Sequence, residues 1–133
     1  MRYSIGLAVT GSLLLAAAPA EAKSPIEGLW RTPRGTATVR IEPCGQQLCG
    51  RMIDASRQVK RKAKKQGAPD IVGKMVLNGI QPVGPNRWKS RVFVPRLGRH
   101  VGGSLVLSNQ NRLTVQGCIA GLICKSQDWH RVS

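Results

Sequence analysis

Between Thr36 and Glu42 apolar and polar side chains alternate, with Val39 and Ile41 on one face and Thr38, Arg40 and Glu42 on the other. This period of two is that of a half-buried β-strand. Pro43 to Gln47 turns the chain, and Leu48 to Ile53 runs back as the second arm of a hairpin. The same chemistry recurs at Gly28 to Thr32, Lys74 to Asn78, Arg87 to Val94, Val101 to Ser108, Arg112 to Cys118 and Gln127 to Val132. Turn-rich segments separate these runs, among them Gly79 to Asn86, Arg96 to Arg99 and Ser108 to Asn111. No sustained helical stripe is read after residue 22, so the pattern predicts an all-β antiparallel meander of eight strands. An open sheet of that kind exposes two edges, and closing it into a small barrel removes both. The inside of such a barrel is either filled by side chains or holds one small ligand.

The first 22 residues have a different character. Arg2 precedes an apolar stretch from Ile5 to Ala18, followed by Pro19-Ala20-Glu21-Ala22. A basic start, a short apolar middle and a small-x-small end describe a secretory signal peptide cut after Ala22, leaving residues 23–133 as one domain. No later apolar run approaches the roughly 18 residues of a membrane helix. An exported product, periplasmic or extracellular, is therefore expected.

Charge and cysteine content sharpen this expectation. The chain has 21 Lys and Arg against 6 Asp and Glu, a net charge of +15 that loss of Arg2 and Glu21 together leaves unchanged. The four cysteines fall into two close pairs, Cys44 with Cys49 and Cys118 with Cys124. In an oxidising compartment two disulfides are the economical reading, and of the three connectivities the local pairs suit hairpin ends best. A zinc site is the rival, but the Cys-x4-Cys and Cys-x5-Cys spacings are wider than most zinc knuckles. Arg57, Lys60, Arg61, Lys62, Lys64 and Lys65 make a dense basic run, read as a loop over residues 57–67. Such a run is either a solvated, self-repelling segment or a site for anions.

Two motifs sit at opposite ends of the expected domain: Gly28-Leu29-Trp30 opens the first strand, and Trp129-His130-Arg131-Val132 closes the last. In a closed barrel these strands are neighbours, so the Arg131 guanidinium can lie on the Trp30 indole and donate to nearby carbonyls. Gly-x-Trp with an arginine on the last strand resembles the lipocalin signature. A wider match joins GLWRT at 28–32, IEPCGQQLCGRMI at 41–53, PDIVGKMVLNGI at 69–80 and GCIAGLICKSQDWHRV at 117–132. Together these segments resemble the exported bacterial family known as domain of unknown function 2147. The resemblance implies a small lipocalin-like barrel with no established activity.

Catalytic chemistry finds little support. The histidines are His100 and His130, and the acids after residue 22 are Glu27, Glu42, Asp54, Asp70 and Asp128. They form no nucleophile elbow, zinc-protease pair or phosphate loop. Asp128 and His130 share a strand face at i, i+2 and could hydrogen-bond, but no nucleophile accompanies them. Trp88 and Val92 share a face with Ser90 and Val94, so both are candidates for a ligand wall as well as for core packing. There is no run of exposed aromatics or finger motif for nucleic acid.

The reading is thus a non-enzymatic, exported barrel, without metal or cofactor, for a small apolar or amphipathic ligand. The alternative is an envelope-associated protein that docks on anionic lipid, lipopolysaccharide or wall polymer through its basic segment. A hydrolase or isomerase built on His100 or His130 is the third reading.

Overall fold

A computed structural model describes residues 6, 8, 10–12, 23–120 and 122–133. The expected signal peptide lies outside the described residues, apart from a few scattered positions within it.

Eight antiparallel strands close into a barrel in simple chain order. They are β1 (Gly28–Arg31), β2 (Ala37–Cys44), β3 (Gln47–Ala55), β4 (Met75–Gly84), β5 (Arg87–Val94), β6 (Arg99–Asn109), β7 (Arg112–Ile119) and β8 (Ile123–Arg131). The seam joins β1 to β8, with Trp30 opposite Arg131 and Arg31 opposite His130. The inward face of each strand carries the core: Trp30, Val39, Ile41, Leu77, Leu105 and Leu113 are all essentially without solvent contact.

Strand order gives the barrel two unlike ends. One end gathers the start of β1, the β2–β3, β4–β5 and β6–β7 turns, and the end of β8. The other gathers the β1–β2 connection with its short 3-10 turn (Pro33–Gly35), the β3–β4 connection, the β5–β6 turn and the β7–β8 turn. Each end carries one disulfide, Cys44–Cys49 across the β2–β3 hairpin and Cys118–Cys124 across the β7–β8 hairpin. Among the described residues no cysteine is free.

Two features of the sequence pattern are corrected. The basic segment expected as a loop over 57–67 is a helix, α1 (Arg57–Lys65). Its apolar face consists only of Val59 and Ala63, too few for a visible stripe, yet spaced i, i+4 so that both face the barrel. Ala63 is fully buried and Val59 packs against the core. Ser56 caps the helix, its hydroxyl oxygen accepting from the Val59 N–H at 3.2 Å. A nine-residue helix is marginal alone, so docking and cap hold it. Ser56→Ala should cost about 1 kcal/mol locally, seen as faster hydrogen exchange at the amides of residues 57–62 with little change in the barrel strands.

The second correction concerns Gly79 to Asn86, expected as a connecting segment. Strand β4 instead runs through Gly79 and Pro82 to Gly84, with register shifts against β5 between Asn78 and Gln81 and between Pro82 and Gly84. Bulges of this kind let a strand absorb residues that a regular ladder rejects.

Candidate functional site

The first end of the barrel is plugged. Trp30 is 0% exposed, and its indole N–H donates to the Ile26 carbonyl at 2.8 Å. The Arg131 guanidinium lies 4.4 Å from the Trp30 ring centroid, within the range of cation–π attraction. Its fork donates to three carbonyls: Gln110 at 2.6 Å, Glu27 at 3.0 Å, and Pro25. The planar guanidinium can do this while stacked, and an ammonium cannot. The chain passes so close here that a Cβ on Gly28 would meet the Ser133 carbonyl oxygen at 2.4 Å, and Gly28 holds φ +136°. Backbone bonds from Leu29 N–H to Ser133 O (2.9 Å) and from Val132 N–H to Leu29 O (2.8 Å) complete the seam.

The second end is open to a cavity of about 110 Å³. Val39, Met52, Val76, Leu77 and Val92 supply apolar wall, and Val59 of α1 reaches it from the rim. Thr32, Thr36 and Gln127 add polar atoms. The Thr32 and Thr36 hydroxyl oxygens are 2.8 Å apart, and the Thr36 hydroxyl donates to the Pro33 carbonyl at 3.0 Å. Trp129 also lines the cavity, its indole N–H donating to Gln127 Oε1 at 3.2 Å. An indole nitrogen only donates, so the Gln127 carbonyl must face it and the amide NH2 takes the other side.

Of the two ligand-wall candidates, Val92 lines the cavity and Trp88 does not. Trp88 is buried four residues nearer the plug, opposite Leu105. Trp129 is a wall residue that the ligand-wall candidates do not include, although β-alternation back from Arg131 points it inward.

Of the polar residues considered for catalysis, Asp128 and His100 are engaged elsewhere. Asp128 accepts from Arg112 and, at 2.8 Å, from the Thr114 hydroxyl, both across the β7–β8 ladder rather than from His130. The bond from Arg112, then that from Thr114, holds its carboxyl below the ordinary carboxylate value. His100 Nε2–H donates to the Met75 carbonyl at 3.0 Å, and its ring packs against Phe93 with centroids 5.2 Å apart. Among the described residues no group of three His, Cys, Asp or Glu side chains could hold a metal ion, and no helix is long and apolar enough to cross a membrane.

Around the open end the charge is one-sided. The six cations of α1 are exposed, and the strand order adds Arg34, Arg96, Arg99 and Lys125 to the same end. Of the acids among the described residues, only Asp54 and Asp70 lie there. Gly98 sets the β5–β6 turn against α1: it holds φ +64°, and a Cβ would meet the Gln66 carbonyl oxygen at 2.4 Å.

Comparison with known proteins places this geometry. A solved structure described as protein HP1028 from the human pathogen Helicobacter pylori, of the lipocalin family, superimposes with a TM-score of 0.61 at 16% identity, covering 80% of this chain and 82% of that one. At that identity the likeness shows the fold, which is lipocalin-like. No curated protein matches the chain. The sequence model of a bacterial family, described as uncharacterized protein conserved in bacteria (DUF2147), matches residues 28–131, from the first strand to the last.

Proposed function

This chain belongs to the DUF2147 family, and we propose that it is an exported, non-enzymatic binding protein whose open barrel end takes the apolar part of a small amphipathic molecule. The observation that carries this reading is the 110 Å³ cavity, apolar on its walls and polar at its rim. A cavity of about 150 Å³ lined by aliphatic and aromatic groups takes up benzene. The buried part of the ligand is therefore no larger than a small ring or short alkyl chain. Its polar or anionic end faces the basic rim. Disulfides at both ends support export, since such bonds persist in oxidising compartments.

The test is native mass spectrometry of protein taken from its own envelope, beside Val92→Phe, which fills the cavity. A ligand mass on the parent that is absent from the variant is the expected result. Val39→Leu, a smaller intrusion, guards against misfolding and should weaken retention in part. Equal adducts on all three proteins, or none on any, would overturn the carrier reading.

A second reading is favoured by the clustering of cations: the open end docks on anionic envelope material. Exposed cations in this arrangement raise local polyanion concentration over about 8 Å at physiological salt.

A further inference from the structure

The β7–β8 turn carries an unusual pair. Leu122 is 87% exposed and Ile123 60% exposed, side by side at the tip of a hairpin stapled by Cys118–Cys124. They are the two most exposed large apolar side chains among the described residues and are adjacent in sequence. An exposed apolar cluster flanked by charge is the kind of surface that marks a membrane or partner contact. Strand order places the tip at the cavity end of the barrel, the end that also carries α1, Arg34, Arg96 and Arg99. Lys125 follows the tip directly, one residue beyond Cys124. Two exposed apolar side chains at a stapled tip, on the end of the barrel that carries these cations, suit a lipid surface, with acyl chains inside and anionic headgroups outside.

We propose that the open end of the barrel docks on an anionic lipid bilayer, with Leu122 and Ile123 entering the headgroup and acyl boundary while α1 and Lys125 contact lipid phosphates. This deepens the docking reading by committing it to lipid. It adds a contact that a soluble polyanion or a wall polymer does not require. Docking in this pose turns the cavity mouth toward the membrane, so an amphipathic molecule can pass between bilayer and barrel without crossing bulk water.

The experiment measures binding of the purified, oxidised protein to vesicles of phosphatidylcholine alone and with a quarter phosphatidylglycerol, at low and at high salt. Binding to the anionic vesicles that weakens with salt is expected. Leu122→Ser/Ile123→Ser should weaken it on the order of tenfold or more. Glutamine at Lys60, Lys62, Lys64 and Lys65 together should weaken it on the order of a hundredfold. Both sets are exposed, so thermal melting of the variants should match the parent. A further reporter is Leu122→Trp: the native tryptophans are buried, so a blue shift on adding vesicles comes from the introduced indole. The bilayer assignment is overturned if the serine variant binds as the parent does while the glutamine variant is impaired, or if the introduced indole stays in water. In either case the wider docking reading survives. Binding of a soluble polyphosphate without binding to vesicles likewise overturns the bilayer and keeps the docking reading. No salt-sensitive binding to either probe overturns both.

Discussion

Trp30→Ala is expected to lower stability by about 3–5 kcal/mol, as for other fully buried tryptophans cut to alanine. The loss has two parts: a cavity at the plugged end, and removal of the surface on which Arg131 stacks. Arg131→Ala alone is expected to cost about 2–3 kcal/mol, since charge-assisted hydrogen bonds to carbonyls and a cation–π contact go together. Because the two side chains share one contact, the double variant should fall short of the sum by about 1 kcal/mol. Urea unfolding of the four proteins measures this directly. A strictly additive result would show that the stack adds nothing and that packing alone accounts for Trp30. Arg131→Lys separates charge from shape: it keeps the cation but not the fork, and should recover less than half of the loss.

Removing both disulfides should cost about 4 kcal/mol in total. Each bridge closes a short loop, with sequence separations of 5 and 6, and loops of that length restrict the unfolded chain by about 2 kcal/mol each. Against a total stability of roughly 5–15 kcal/mol for such domains, this is a large share, and melting in reductant should come well below melting in air. The pairs Cys44→Ser/Cys49→Ser and Cys118→Ser/Cys124→Ser should each show about half the effect. Only the second should also alter vesicle binding, because only that bridge holds the Leu122–Ile123 tip.

Much of the barrel was legible in the pattern, for a reason particular to this topology. In an up-and-down barrel each strand has one face in the core and one toward water, so alternation survives almost unbroken from Val39 and Ile41 to Leu113 and Val115. Turn chemistry then marks nearly every reversal. The pattern failed where burial was one-sided in another way. Helix α1 buries just Val59 and Ala63, and its six cations hide the helical period behind a run that reads as a solvated loop. Along β4 Gly79 and Pro82 signal a break, whereas the ladder takes them up as bulges.

The site was legible in part. The Gly28, Trp30 and Arg131 cluster follows from the seam of any closed eight-strand ring, and Val92 from alternation along β5. Which end of the barrel stays open is set by the distribution of long connections, not by any single strand. Trp88, on the same face as Val92, sits in packing, while Trp129 lines the cavity. The apolar tip at Leu122 and Ile123 gave no separate signal, because the stretch between Cys118 and Gln127 reads as a connecting loop closed by the cysteine pair, whereas β8 begins at Ile123.

The seam also bears on how the chain reaches its fold. Seven of the eight ladders join neighbours in sequence and can form as local hairpins, whereas the Arg131 to Glu27 bond spans 104 positions. Closing so long a loop is entropically costly until the intervening hairpins have shortened the effective distance. Ring closure is therefore expected as the final event of folding, and the tryptophan–arginine stack as the latch that makes an open, edge-exposed sheet short-lived.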